Sequence, residues 1–221
     1  MINKILPASL LFVAAILTTF CSQPYGKNEL PIMGRKKLVE KEVDGKTVID
    51  TLDHMIADFA FYDQDSTLIT NETFKNQIYV SDFFFTSCPT ICPKMKKQML
   101  RIYEKFEETP EVAILSHTID PTHDNVAVLN EYAEALGVNS SKWHFVTGDE
   151  DTIYHIGEKS YMVTAGEDEQ APGGYIHSGA FLLVDDQRRI RGVYDGTMEE
   201  QVDILLLDMD LLLNELANKK K

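Results

Sequence analysis

The chain has 221 residues, of which 44% are hydrophobic, and its formal net charge is −14. This length suffices for one domain with a hydrophobic core of its own. A surface this acidic repels phosphate backbones, so nucleic acids are excluded as expected partners.

An export signal is predicted at residues 1–21. Lys4 supplies a positive charge and residues 5–20 carry none, a stretch that is short for a membrane-spanning helix. Cys21 follows directly, which favours a lipoprotein that is cleaved before Cys21 and lipidated on its sulfur. Bulky Phe20 stands where a small residue usually precedes the cut, so an uncleaved membrane anchor and a plain secretory signal remain alternatives. All three place the rest of the chain outside the cytoplasm, at the periplasmic face of a membrane where the anchor is kept.

Residues 22–50 are polar with scattered Pro, Gly and Lys, which is typical of a tether, and a short strand is expected between Lys41 and Ile49. One domain is predicted for residues 51–221. Its predicted strands cover residues 56–62, 78–85, 112–119, 143–147, 180–184 and 190–194. Its predicted helices cover residues 94–106, 124–136, 152–160 and 198–216. This alternation, closed by a hairpin and a helix, predicts an α/β sandwich with a central mixed β-sheet flanked by helices.

Cys88 and Cys92 stand between the predicted strand 78–85 and the predicted helix 94–106. A thiol pair between the first central strand and a helix is the thioredoxin-like arrangement, although one more residue separates the two cysteines here. The helix start favours thiolate over thiol. A disulfide around so short a loop would stabilise the fold little, so a reactive or metal-binding pair is favoured over a structural one. Redox chemistry, metal binding or both remain open, and Cys88 is the expected nucleophile.

His177 follows a Gly173-Gly174 pair and precedes the predicted strand 180–184. A lone histidine is more often a surface or core residue than a ligand. Periodicity does not distinguish His177 from the remaining histidines, which are His54, His117, His123, His144 and His155.

Three segments together resemble the Sco/SenC family of thioredoxin-fold, membrane-tethered copper proteins. They are Cys88-Pro-Thr-Ile-Cys92, Asp120-Pro121 and Ile176-His177-Ser178, and they follow the family's order and spacing. The resemblance covers residues 50–216. It implies that Cys88, Cys92 and His177 bind copper, and that Asp120 is an outer ligand or a group that supports a ligand. Met95 and Met99, four positions apart, are expected to face the core instead.

The resemblance also implies a function. The protein would deliver copper to, or maintain the thiols of, the dinuclear copper centre of cytochrome c oxidase. Its partners would be the oxidase subunit that carries this centre, together with other copper chaperones or thiol reductases. Two sulfurs and an imidazole suit both Cu(I) and Cu(II), and oxidation to a disulfide would remove both sulfurs from the metal. This describes a metallochaperone with thiol–disulfide redox capability more than an enzyme.

Two alternatives stand beside this interpretation. A thiol–disulfide oxidoreductase with incidental copper binding would need the two cysteines and no histidine. A peroxide-reducing enzyme on the same fold is disfavoured, because Thr86 lies two positions before Cys88 rather than at the spacing of a peroxidase threonine–cysteine pair.

Overall fold

The computed structural model describes residues 29–168 and 170–219. The strands are β1 (Lys37–Val43), β2 (Lys46–Leu52), β3 (Ala60–Asp63), β4 (Leu68–Thr70), β5 (Ile78–Phe84), β6 (Val112–Thr118), β7 (Trp143–Thr147), β8 (Ala165–Glu167), β9 (Tyr175–His177), β10 (Ala180–Val184) and β11 (Ile190–Asp195). The helices are α1 (Cys92–Phe106), α2 (Val126–Leu136), α3 (Glu150–Ile156) and α4 (Glu199–Lys219). The predicted export signal and Cys21 lie outside the described residues.

Seven strands form one mixed sheet in the order β11-β10-β5-β6-β7-β3-β4. Strands β5, β6 and β7 are parallel to one another, and the remaining pairings are antiparallel. The hairpins β1–β2 and β8–β9 form two separate small sheets. A mixed sheet with flanking helices confirms the predicted α/β class.

Strand β5 is covered on both faces, and all of its residues are buried. Side chains alternate between the faces of a strand. Phe84 packs on Tyr132 of α2, whereas its neighbour Phe83 packs on Tyr161 beyond the other face. This two-sided burial explains the nearly continuous apolar sequence of the strand.

Helix α1 follows β5 and buries one face. The buried side chains recur at helical spacing and include Met95 and Met99, as expected for a core face. On its exposed side, Lys105 pairs with Asp210 of α4 at 2.8 Å. Helix α1 is therefore held beside α4, which also contacts the sheet, and its first residue, Cys92, has a defined position.

Strands β4, β8 and β9 were not predicted, α2 begins at Val126 rather than at residue 124, and two further predicted elements of the domain differ in the structure. The predicted helix at residues 152–160 is α3 followed by a π-helical turn at Gly157–Tyr161. The predicted strand at residues 56–62 is a strand only from Ala60 onwards, because the Ile56 N–H donates to the Arg188 carbonyl at the β10–β11 turn instead of to a neighbouring strand.

The segment expected to act as a tether contains ordered structure. The Met33 N–H donates to the Ile190 carbonyl, and the Arg191 guanidinium donates to the carbonyls of Leu30 and Pro31. The hairpin β1–β2 occupies the region where one short strand was expected. The boundary at residue 50 stays a prediction, and a hairpin spans that position.

His117 of β6 is fully buried, and neither ring nitrogen has a hydrogen-bond partner in the described structure. Its ring stacks on Phe83 with centroids 4.9 Å apart and is enclosed by Phe59, Phe61 and Tyr161. Burial lowers the pKa of His117 to about 3. The imidazole is therefore a neutral, aromatic part of the core at ordinary pH.

Candidate metal centre

The two cysteines lie where β5 gives way to α1. Cys92 is the first residue of α1, and Pro93 follows it in the first turn, where the missing N–H breaks no helical hydrogen bond. Cys88 lies in the preceding turn, and its N–H donates to the Phe85 carbonyl at 3.2 Å. Strand end, turn and helix start thus bring both thiols to one end of the sheet.

His177 reaches this end of the sheet on the hairpin β8–β9. It is the last residue of β9 and pairs with Ala165 of β8, so it lies on a strand rather than on a loop. Gly173, in the connection between the two strands, has a φ of +88°. A Cβ there would lie 3.0 Å from the Phe85 ring and 3.1 Å from Pro89, so glycine allows the hairpin to pack directly on the cysteine turn.

Three candidate ligand atoms converge. The Sγ atoms of Cys88 and Cys92 and a ring nitrogen of His177 all lie within 4.8 Å of one another. His177 Nε2 is 3.2 Å from Cys92 Sγ and 3.9 Å from Cys88 Sγ. A metal with bonds of about 2.3 Å to sulfur and about 2.0 Å to nitrogen needs trigonal ligand atoms roughly 3.5–4 Å apart. The two nitrogen–sulfur distances come within about half an ångström of this spacing, so the donor set suits one ion.

The hydrogen bonds of His177 point its free electron pair at the sulfurs. Nδ1 lies 3.2 Å from the Ser178 carbonyl, which can only accept, so Nδ1 carries the proton and donates it. Nε2 is left as the unprotonated nitrogen that faces the cysteines. Burial lowers the pKa of His177 against smaller opposing effects of the Ser178 and Phe83 backbone, which keeps the imidazole neutral and able to bind a metal.

The two thiols differ in acidity, although both are buried and exposure therefore does not distinguish them. Burial opposes ionisation of Cys88, but hydrogen bonds from Cys92 and from the Thr90 and Cys92 backbone outweigh it and lower the pKa of Cys88. Burial and the hydrogen bond to Cys88 raise the pKa of Cys92. Cys88 is thus the more acidic thiol of the pair, and Cys92 the less acidic one.

Asp120 lies outside the group of converging ligand atoms. Its carboxylate accepts from the His123 N–H at 3.2 Å and from the Thr122 hydroxyl at 3.3 Å. The Tyr175 hydroxyl also donates to it, and burial together with this bond raises the pKa of Tyr175 to about 12. Tyr175 stands two residues before His177 on β9, so Asp120 reaches the histidine strand through a tyrosine.

Asp124 supports the cysteine turn, a role that the sequence did not indicate. Its buried carboxylate accepts from the Thr86 N–H at 2.9 Å, the Thr86 hydroxyl at 2.5 Å and the Thr118 hydroxyl at 2.6 Å. Nδ1 of the exposed His123 ring lies 2.8 Å from the same carboxylate. Asp124 ties the residues before Cys88 to the end of β6. The sequence pattern had placed it at a helix start instead.

Asp82 is a buried carboxyl group on β5 beneath the centre. Ser116 Oγ donates to it at 2.5 Å and in turn accepts from Trp143 Nε1 at 2.9 Å. Burial raises the pKa of Asp82 to about 7 against the opposing effect of the Ser116 hydrogen bond. Its charge contributes to the raised pKa of Cys92. The signal was available in the sequence, because Asp82 is the one acidic residue in a strand segment that is apolar apart from it and Ser81.

The SCO1/SenC family profile matches residues 49–206, more than half of the chain and all three segments of the centre. The chain belongs to the SCO1/SenC family. Family members are copper-binding proteins involved in cytochrome c oxidase assembly. The SCO1 protein homolog of Bacillus subtilis strain 168 is 29% identical over 171 residues, which cover 75% of this chain and 86% of the relative.

Solved structures of Sco proteins share the fold. A SCO1/SenC family lipoprotein from Bacillus anthracis superposes with a TM-score of 0.66 at 25% identity, over 72% of this chain and 95% of its own. BsSco, described as a member of the Sco family of cytochrome c oxidase assembly proteins with a disulfide switch, gives a TM-score of 0.64 at 28% identity, over 73% and 94% of the two chains. The predicted thioredoxin-like fold is confirmed.

Among residues 29–168 and 170–219, no helix is both long enough and apolar enough to cross a membrane. Helix α4, the longest of them, interrupts its leucine runs with Asp208 and Asp210.

Proposed function

We propose that this chain is a copper-binding assembly factor that delivers copper to, or maintains the thiols of, the dinuclear copper centre of cytochrome c oxidase. The observation that carries the proposal is the convergence of Cys88, Cys92 and His177 within 4.8 Å. Membership of the SCO1/SenC family supports the oxidase as the destination.

The chemistry of the three donors favours copper. Thiolates are the soft ligands that Cu(I) prefers, and an imidazole also supports Cu(II), so one set serves both oxidation states. Cys88 offers the more readily ionised thiol, and His177 offers a neutral nitrogen whose other ring position is held by Ser178. Cys92 must lose its proton for copper to bind, so metal capture releases a proton.

The same thiols give the protein a redox state that controls copper affinity. When the Cys88 thiolate attacks the disulfide of a partner and Cys92 resolves the mixed disulfide, the Cys88–Cys92 bond forms and the partner leaves with two thiols. In the reverse direction the dithiol forms again and a partner disulfide is formed. Each step moves two electrons, and the oxidised form offers the metal neither sulfur as a thiolate.

The second candidate function is a thiol–disulfide oxidoreductase that binds copper incidentally. The opposite pKa shifts of Cys88 and Cys92 favour it, because an attacking thiolate and a protonated resolving thiol are what such an enzyme uses. The two functions differ in their need for His177, which contributes to copper binding alone.

We propose further that residues 1–21 anchor the chain at the periplasmic face, with Cys21 as the lipidation site, and that the domain follows residue 50. The similarity to a SCO1/SenC family lipoprotein supports this placement. Metabolic labelling with a fatty acid tests it, because the label should be present in the unsubstituted chain and absent from Cys21→Ser.

His177→Ala is expected to weaken Cu(II) binding by the reduced protein about 100-fold or more, because it removes one of three ligands, and loss of a group that only supports a ligand already costs about 10–100-fold. The reduced protein should bind one copper per chain, with a thiolate-to-Cu(II) absorption band that the variant loses. Anaerobic titration of both proteins measures the difference.

The matched control is His155→Ala, which removes an exposed histidine from α3 and should leave copper binding unchanged. Equal copper affinity of His177→Ala and the unsubstituted protein would refute the ligand assignment. If His177→Ala changed the reduction potential of the Cys88–Cys92 disulfide more strongly than it changed the copper affinity, the oxidoreductase function would be favoured.

Tyr175→Phe is expected to weaken Cu(II) binding about tenfold, because it removes the hydroxyl that links the histidine strand to Asp120 while the ring keeps its packing on Phe85. The same titration measures this effect, and Tyr62→Phe on the exposed side of β3 is the control. Unchanged affinity in Tyr175→Phe would show that packing alone positions His177.

A further inference from the structure

The hairpin β1–β2 stands apart from the rest of the described fold. Its two strands pair with each other and with no other described strand. All of its residues are exposed except Val39, which is half-buried. Apolar side chains of the hairpin, which would be buried if the hairpin packed on the core, are therefore in contact with solvent.

The strand register divides the hairpin into two faces of opposite charge. Paired residues share a face, and alternate residues along a strand lie on opposite faces. The basic face consists of Lys37, Val39, Lys41, Val43, Lys46, Val48, Asp50 and Leu52. The acidic face consists of Leu38, Glu40, Glu42, Thr47, Ile49 and Thr51. In a chain with a net charge of −14, three lysines are thus gathered on one apolar surface.

The hairpin rises from the end of the sheet opposite the metal centre. On its two sides, Met33 and Ile56 bond to Ile190 and Arg188, beside the β10–β11 turn. Strand β10 enters that turn where Val184 pairs with Tyr79, at the start of β5. The cysteines follow the other end of β5, so the whole strand, roughly 20 Å long, separates the two features.

We propose that the basic face of the hairpin lies on a bilayer that contains anionic phospholipids. Its four apolar side chains enter the boundary between headgroups and acyl chains, and its lysines contact the lipid phosphates. The acidic face turns away from the membrane. The placement rests on the proposed anchoring at Cys21, which precedes Lys37 by 16 residues in the sequence and keeps the hairpin near the bilayer.

Adsorption of the hairpin orients the domain. With the opposite end of the sheet at the lipid surface, the Cys88, Cys92 and His177 group faces away from the membrane that holds the chain. The centre is then open to a partner that projects from the same membrane, and a tether alone would leave its orientation free.

The test uses the full chain in lipid vesicles with single tryptophans on the two faces. Val48→Trp reports on the basic face and Ile49→Trp on the acidic face. The native Trp143 is buried and gives the background signal of the unsubstituted protein. In vesicles with phosphatidylglycerol, brominated acyl chains should quench the added fluorescence of Val48→Trp at least twofold more than that of Ile49→Trp. Vesicles of phosphatidylcholine alone should give a weaker difference.

Charge-reversal variants of the hairpin distinguish lipid contact by its basic face from anchoring through the tether. Lys37→Glu with Lys41→Glu and Lys46→Glu should abolish the quenching of Val48→Trp, and Glu40→Lys with Glu42→Lys should preserve it. Equal quenching at both positions, or none at position 48 while the chain still floats with the vesicles, would overturn the hairpin proposal alone. A chain that does not float would overturn the anchoring as well. A change in the Val48→Trp emission that an acidic protein domain produces without lipid, and that salt-matched buffer does not produce, would assign the face to a protein partner instead.

Discussion

Oxidation of Cys88 and Cys92 to a disulfide is expected to lower the affinity of the protein for Cu(I) by about a thousandfold or more. The oxidised centre would offer His177 as its one remaining strong donor, whereas multidentate sites with thiolates bind metals with free energies of several kcal/mol per ligand. Competition with a Cu(I) chelator under anaerobic conditions, before and after oxidation, measures the ratio.

The control for this experiment is a chain with Cys21→Ser, which leaves Cys88 and Cys92 as its two cysteines. In that background, Cys88→Ser with Cys92→Ser should bind Cu(I) weakly and show no response to oxidant. An oxidised protein that retains the affinity of the reduced one would show that the thiolates are not ligands, and that the redox state does not control the metal.

His117→Phe is expected to protect the protein against acid. The pKa of His117 is lowered from 6.5 in the unfolded chain to about 3 in the fold by burial. The contribution to stability is therefore complete above pH 6.5 and is lost as the pH falls toward 3, because the unfolded chain binds the proton first. Between pH 6.5 and 4 this loss amounts to about 3 kcal/mol. Phenylalanine cannot be protonated, and the variant should lack this part of the acid destabilisation.

The measurement is the free energy of unfolding in denaturant at several pH values, compared as the difference between variant and unsubstituted protein. Any packing cost of the larger ring shifts the whole curve and leaves its slope unchanged. His155→Phe, at an exposed position on α3, controls for the loss of one histidine. If the unfolding free energy of His117→Phe and of the unsubstituted protein fell with pH at the same slope, the buried imidazole would bind its proton as readily in the fold as in the unfolded chain.

The fold was largely predictable because its signals are local. The apolar run of β5, the amphipathic spacing of α1 and the terminal Gly137 of α2 depend on neighbouring residues and follow from periodicity and backbone preference. The predictions were wrong where long-range contacts determine the local structure. Ile56 leaves its expected strand because it bonds to Arg188, and the π-helical turn after α3 lies at the back of the sheet against Phe83.

The candidate site divides in the same way. The cysteine motif could be recognised from its place between a strand and a helix. The residues that support the site could not be recognised, because Asp124 reaches Thr86 across 38 positions and Tyr175 reaches Asp120 from the β8–β9 hairpin. Side chains this far apart in the sequence leave no periodic pattern that connects them.

By itself the sequence determined the fold class, the candidate cysteine pair and, through the family resemblance, the candidate ligand His177. Only the tertiary structure decided that the two sulfurs and the imidazole meet within 4.8 Å, that Cys88 is more acidic than Cys92, and that Nε2 of His177 faces the sulfurs. The physical reason is the 89 positions between Cys88 and His177. Packing of the β8–β9 hairpin on the cysteine turn closes that separation, and burial together with hydrogen bonds then sets the protonation of each ligand.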